Sequence, residues 1–89
     1  MVVKIVNKVL VNVFVPMIGK KYEIFIPVNE YMWKINKLIV KSISDLSDCV
    51  FPINKDYFII NIDNGRIYNN NDIIISTDIR NNANLILTD

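Results

Sequence analysis

Two segments with the alternation of β-strands precede one longer segment with helical spacing, and this order limits the folds open to the chain. Residues 2–15 are predicted as the first strand, most clearly in residues 9–15, where valine stands at every second position. Residues 21–28 are predicted as the second strand. Pro16 cannot donate to a sheet and Gly19 favours a turn, so the two segments form a predicted β-hairpin.

The segment after the hairpin has the periodicity of an amphipathic helix, predicted from Glu30 to Ser47. Its apolar residues recur every three or four positions. They are Met32, Ile35, Ile39, Ile43 and Leu46. Asn29 is the predicted N-cap, and Pro52 keeps the helix from continuing. A hairpin cannot bury its apolar face alone, so the helix is expected to cover it.

The second half of the chain returns to strand-like patterns. Tyr57 to Ile62 is predicted as a strand, followed by a type I′ turn at Asn64-Gly65 and a very short strand over residues 66–68. Residues 83–88 form the last predicted strand, after a turn in which Asn82 takes a left-handed conformation. The economical packing inserts this last strand beside the first. The expected fold is therefore α+β, a β-grasp, in one domain spanning residues 1–89.

Composition excludes several classes of function. Ten basic and nine acidic residues give a net charge of +1, which offers no electrostatic case for binding nucleic acid or an anionic membrane. The absence of histidine and the single cysteine exclude His-dependent catalysis, disulfides, and zinc or iron–sulfur sites. We therefore expect no enzyme, no cofactor and no metal, and an inert Cys49 thiol. No apolar stretch is long enough to span a membrane or serve as a signal peptide, so the expected location is cytoplasmic.

Particular stretches of the sequence resemble the YukD-like family of small bacterial ubiquitin-like proteins, which are associated with type VII secretion. They are residues 11–16, 21–27, 63–68 and 77–87. The last of these resembles the family's closing I-x-N-G-x-x-L-x-L pattern, with Asn82 in place of the usual glycine. The resemblance implies a ubiquitin-like fold and a protein that is not conjugated to others.

Conjugation by ubiquitin and its sulfur-carrier relatives depends on a flexible C-terminal Gly-Gly. This sequence closes with Leu87-Thr88-Asp89, and its glycines stand at positions 19 and 65. The expected function is a non-conjugating accessory component of a bacterial type VII secretion system that binds protein partners. The alternative is a β-grasp adaptor or regulatory module unrelated to secretion. The expected oligomeric state is a monomer or a weak homodimer, since the edge strand of residues 21–28 offers a surface for self-pairing.

The sheet face turned away from the helix is the candidate partner-binding surface. In ubiquitin-like proteins this open face is the usual docking surface, and clustered apolar side chains on an exposed face indicate an interaction site. The predicted partner-binding residues are Phe14, Phe25, Ile59 and Ile86, accompanied by Leu10 and Asn61. In the alternative interpretation, the N-terminal residues or the stems of Lys20 and Lys21 cover part of this face.

Two features of the helix have both a functional and a structural interpretation. Trp33 lies off the apolar stripe, either as an exposed anchor for a partner or, as we expect, packed on a loop near Phe51. Lys34, Lys37 and Lys41 form a basic stripe. The stripe either meets an acidic partner or membrane surface or, as we expect, is a solvated helix face.

Overall fold

The computed structural model describes residues 7–48 and 50–89. Its main elements are β1 (Lys8–Val15), β2 (Lys20–Pro27), α1 (Met32–Leu46), β3 (Phe58–Asn61) and β4 (Ala83–Thr88). Short 3₁₀ turns span Pro16–Ile18 and Ile74–Ser76. The part of the first predicted strand before residue 7, and Cys49, lie outside the described residues. Within these residues, no helix has the length and apolar character needed to cross a membrane.

The strands form one mixed sheet in the order β2-β1-β4-β3. β1 and β2 form the predicted antiparallel hairpin, and β4 lies parallel to β1, where Val13 pairs with Leu85. β3 pairs antiparallel with β4 on the far side. The last strand therefore stands beside the first, and the sheet with its single helix is a β-grasp, as the sequence predicts.

The core lies between the helix and the inner face of the sheet, the face turned toward α1. The alternating valines Val11, Val13 and Val15 are fully buried on this face, as predicted. The other large contributors are Ile24, Ile26, Ile35, Ile39, Ile43, Leu85 and Leu87. Each fully buried aliphatic side chain contributes about 1.5–3 kcal/mol of transfer free energy, so this layer supplies the main driving force for folding.

The start of the helix differs from the predicted one. The N-cap is Tyr31 rather than Asn29, and no side-chain hydrogen bond caps the helix. Instead, the backbone N–H of Met32 donates to the carbonyl oxygen of Asp72 (2.7 Å), and that of Trp33 donates to Asn70 (3.2 Å). The first N–H groups of a helix lack partners within it, and here a distant loop provides them. The prediction of Asn29 as the N-cap was wrong, because the groups that accept these hydrogen bonds come from a loop about 40 residues further along the chain.

Two of the three predicted turns have the expected backbone conformation. Gly19 (φ 63°) and Asn82 (φ 66°) are left-handed, as expected. At the Asn64-Gly65 turn only Gly65 has a positive φ, of 70°, so the predicted type I′ turn is wrong. The Asn64 side chain accounts for the difference, because its Oδ1 accepts a hydrogen bond from the backbone N–H of Arg66. The predicted strand over 66–68 is reduced to a single bridge between Ile60 and Ile67.

Candidate protein-binding face

The sheet face opposite the helix, here the outer face, is defined by the strand pairings and by alternation along each strand. Its apolar members are Leu10, Phe14, Phe25, Phe58, Ile60 and Ile86, continued by Ile62 and Ile67 beyond the end of β3. Its polar members are Lys8, Asn12, Lys21, Glu23, Asn84 and Thr88. All of these side chains are exposed or half-buried, whereas the alternate residues of each strand supply the core.

Part of the outer face is a continuous row of apolar side chains running across the strands. Phe14 on β1 pairs with Ile86 on β4, and Ile86 pairs with Ile60 on β3. The bridge between Ile60 and Ile67 extends the row past the sheet. Directly paired side chains of neighbouring strands contact one another. Phe14, Ile86, Ile60 and Ile67 are hereafter called the apolar row, and Phe58 and Ile62 flank it on the β3 side.

Phe25 lies on the outer face but apart from the apolar row. It is 63% exposed and pairs with Leu10. Leu10 precedes Phe14 by four positions on β1, which at about 3.3 Å per residue separates them by about 13 Å. Asn12 occupies the space between, and its Nδ2 donates to Asn84 Oδ1 (3.2 Å). The structure therefore brings Phe14 and Ile86 together and places Phe25 at a second apolar spot.

Ile59 and Asn61 were wrongly assigned to this face. Ile59 is 4% exposed and pairs with Leu87, and Asn61 is 5% exposed. Both side chains point toward the helix side of the sheet, because the register with β4 sets them opposite its buried leucines. The exposed residues of β3 are Phe58 and, to a lesser degree, Ile60, which the sequence assignment missed. Ile62 and Ile67 were missed in the same way.

A polar network fixes the turn that carries Ile67. The buried Asn61 Nδ2 donates to the Tyr68 hydroxyl (3.0 Å), and that hydroxyl donates to Asp78 Oδ1 (2.5 Å). Asn64 Nδ2 donates to Asp78 Oδ2, and Arg66 Nη1 lies 3.8 Å from Oδ1. The Tyr68 hydrogen bond, aided by Asn64 and Arg66, lowers the pKa of the Asp78 carboxyl. Burial, followed by the bond to Asp78, raises the pKa of the Tyr68 phenol.

This network predicts an acid-sensitive contribution to stability. A carboxyl whose pKa is lowered by folding stabilises the protein above its unfolded pKa of about 3.9, and that contribution is lost as the pH falls through the folded value. At pH 6 we expect Asp78→Asn to lower the free energy of unfolding by less than about 1 kcal/mol, because water screens this partly exposed carboxylate. The difference from wild type should shrink below pH 4, as measured by urea unfolding.

The matched control for Asp78→Asn is Asp63→Asn, which removes an exposed carboxylate from the same turn. Within the described residues, the Asp63 side chain has no hydrogen bond or ion pair. It should therefore leave the stability nearly unchanged at pH 6. A difference between Asp78→Asn and wild type that stays constant from pH 6 to pH 3 would contradict the role given to Asp78.

The helix features predicted from the sequence lie away from the outer face. Trp33 is 40% exposed, and the ammonium groups of Lys34 and Lys37 lie 5.5 and 5.4 Å from its ring centroid. Trp33 lines a surface cleft together with residues 53–57 of the loop that follows Phe51, and the Phe51 ring itself stacks on Tyr57, with centroids 4.6 Å apart. Lys34 also forms an ion pair with Glu30 (3.4 Å). The lysines of the stripe are exposed, as a solvated helix face requires.

The outer face combines large apolar side chains with a few polar ones. Its charged members are Lys8 at the start of β1, and Lys21 and Glu23 on the edge strand β2. Within residues 7–48 and 50–89, no group of three histidine, cysteine, aspartate or glutamate side chains is placed to hold a metal ion. Large apolar side chains with a few polar neighbours are typical of protein-binding surfaces.

Comparison with known proteins identifies the fold. No protein-family model and no curated protein matches the sequence significantly. The N-terminal ubiquitin-like domain of the 4931431F19Rik protein matches with a TM-score of 0.66 and 20% identity, covering 92% of this chain and 74% of the other. The ubiquitin-like domain of Arabidopsis thaliana protein At2g32350 matches with a TM-score of 0.62 and 16% identity, covering 92% and 77%.

A third match is a chain of the MycP5-free ESX-5 inner membrane complex. Its TM-score is 0.73 at 14% identity, and the match covers 93% of this chain but 22% of that one. Structural similarity at these sequence identities establishes the fold but does not establish the function. The chain described here has the ubiquitin-like β-grasp fold.

Proposed function

We propose that this protein is a non-conjugating ubiquitin-like protein that binds a protein partner through its outer face. The observation that carries the proposal is the apolar row, in which side chains of β1, β4 and β3 meet in register on the solvent side of the sheet. An exposed apolar surface of this kind lowers its free energy when a partner covers it. The proposed activity is recognition, with no bond made or broken.

The geometry of the face suggests how a complex would form. The apolar row would supply the buried centre, and Asn12 and Asn84 beside it would supply polar contacts. A specific complex buries about 800 Å² on each partner. Aromatic residues often contribute a large share of the affinity of an interface, and Phe14 is the aromatic member of the row.

The finer proposal is that the partner belongs to a bacterial type VII secretion system, in which this protein is an accessory component acting in the cytoplasm. Two observations support it. The sequence resembles the YukD-like family over several stretches, and one structural neighbour comes from an ESX-5 type VII secretion complex. The non-conjugating part of the proposal is supported by the same resemblance, which implies a protein that is not conjugated to others.

Affinity capture from native cells tests both levels of the proposal. Wild-type protein is expected to retain a specific partner that the double variant Phe14→Ser/Ile86→Ser does not. Loss of a central interface side chain costs about 2 kcal/mol or more, which is about a 30-fold loss of affinity for each. Far-ultraviolet circular dichroism and urea unfolding show that the variant remains folded.

Two further variants locate the surface. Ile75→Ser removes an exposed apolar side chain that is not on the outer face, and it should retain the partner. Phe25→Ser tests whether the second apolar spot contributes. Capture of membrane or cytoplasmic secretion components supports the secretion proposal, whereas other partners indicate an adaptor unrelated to secretion. Unchanged capture by the double variant would overturn the outer face as the binding surface.

A further inference from the structure

The strand β2 forms an open edge of the sheet. It is the outermost strand and pairs with β1 on one side only. Within residues 7–48 and 50–89, no backbone hydrogen bond joins the other side of residues 20–27 to another segment. The opposite edge differs, because at β3 the N–H of Asn61 donates to Arg66 and the N–H of Gly65 donates to Asn61. Among the described residues, the long edge formed by β2 is therefore open to pairing.

Hydrogen-bonded and non-hydrogen-bonded residue pairs alternate between β1 and β2, and this alternation shows which backbone groups of β2 face the open edge. The N–H of Leu10 donates to Asn81 Oδ1 (2.8 Å), and its carbonyl accepts from the N–H of Asn82 (2.7 Å), so both groups point away from β2. Leu10 and its partner Phe25 are then a non-hydrogen-bonded pair of the antiparallel ladder. The backbone groups of Phe25, Glu23 and Lys21 accordingly point outward, to the open edge.

The side chains along this edge are complementary to themselves. Lys21 and Glu23 have the same orientation, are both exposed, and form no ion pair within the described residues. When two copies of β2 meet antiparallel about Tyr22, each Lys21 stands opposite Glu23 of the second copy. Tyr22, which is half-buried, then faces Tyr22 of the second copy on the other side of the sheet. Opposite charges and paired aromatic rings both stabilise neighbouring strands.

We propose that two copies of this chain associate through antiparallel pairing of β2 about a two-fold axis at Tyr22. Such an isologous contact extends the sheet across both copies. A register centred between Tyr22 and Glu23 would set outward backbone groups of one copy opposite inward groups of the other. The register centred on Glu23 matches the outward groups but sets the two Glu23 carboxylates face to face. The Tyr22 register avoids that repulsion. The interface is small, so the dimer is weak and depends on concentration.

Charge reversal tests this pairing by sedimentation velocity over a concentration series. Glu23→Lys and Lys21→Glu each create two like-charge pairs across the axis, so each should weaken dimerisation at least about tenfold. The double variant Lys21→Glu/Glu23→Lys restores both ion pairs and should dimerise like wild type. An equimolar mixture of the two single variants should dimerise as well. Lys37→Glu, an exposed lysine on the helix, is the control and should leave dimerisation unchanged.

Each result decides the proposal. A wild-type chain that remains monomeric at millimolar concentration would overturn it, as would a dimer that Glu23→Lys leaves intact. A double variant that stays monomeric would overturn the Tyr22 register. Glu23 is not a member of the apolar row, so loss of dimerisation by Glu23→Lys with retained partner capture separates this inference from the proposed function.

Discussion

Replacing Ile59 by alanine is expected to lower the free energy of unfolding by about 2–5 kcal/mol, the usual cost of truncating a fully buried isoleucine. Ile59 is buried in the core with Leu87 as its cross-strand partner, and an apolar cavity of this kind offers no hydrogen-bond partners to water. Phe58→Ala, one position earlier, should change the stability by about 0.5 kcal/mol, because that ring is 55% exposed. Urea unfolding followed by circular dichroism measures both.

This comparison also tests the orientation of β3 that the outer face requires. A larger loss of stability for Phe58→Ala than for Ile59→Ala would indicate that β3 has the opposite orientation. Phe58 and Ile60 would then be buried, and Ile60 would not belong to the apolar row. The proposed function would then lose the residue that connects β4 to the turn at Ile67. Ile60→Ala provides an intermediate case, because Ile60 is half-buried and pairs with Ile86.

The sequence predicts the orientation of a strand well where apolar and polar residues contrast. In β1 the valines alternate with Leu10, Asn12 and Phe14, and Asn12 marks the solvent side. The same contrast places the apolar stripe of α1 on the core side. These elements, and the insertion of β4 beside β1, follow from local pattern and from the need to bury each apolar face.

The strand β3 lacks this contrast. Three apolar residues in succession, from Phe58 to Ile60, allow either face to be the buried one, and the polar Asn61 suggests the wrong choice. Asn61 is buried because its amide donates to Tyr68 and its Oδ1 accepts from the N–H of Asp63. A buried amide is tolerated when its hydrogen bonds are made. No strand periodicity reveals such partners, so orientation depends here on tertiary structure.

The sequence predicts only part of the candidate site, because here too the arrangement depends on contacts between distant segments. Alternation correctly places Phe14, Phe25 and Ile86 on the outer face. Which of them meet is decided by the register between strands, and the register of β1 with β4 depends on the bond from the Asn82 N–H to Leu10. That contact joins opposite ends of the chain. Sequence pattern therefore predicts the face, whereas the apolar row requires the structure.

The largest single loss of stability is expected for Phe51→Ala, at about 3–5 kcal/mol. Phe51 is fully buried and stacks on Tyr57 with ring planes 28° apart. The Tyr57 hydroxyl donates to the carbonyl of Pro52 (2.6 Å), and Asn36 Nδ2 donates to the carbonyl of Tyr57 (2.9 Å). The loop between α1 and β3 is thus held to both elements through this aromatic pair.

Ile53→Ala is the matched control for this prediction, because Ile53 lies in the same loop with its side chain exposed. It should leave urea unfolding nearly unchanged. Since Tyr57 immediately precedes β3, loss of the Phe51 ring should also speed amide hydrogen exchange at Ile60 and Asn61 more than at Val13 on the central strand β1. Equal stability of Phe51→Ala and Ile53→Ala would show that the ring does not anchor the loop. Some other contact would then have to fix the position of β3 and of the end of the apolar row that it carries.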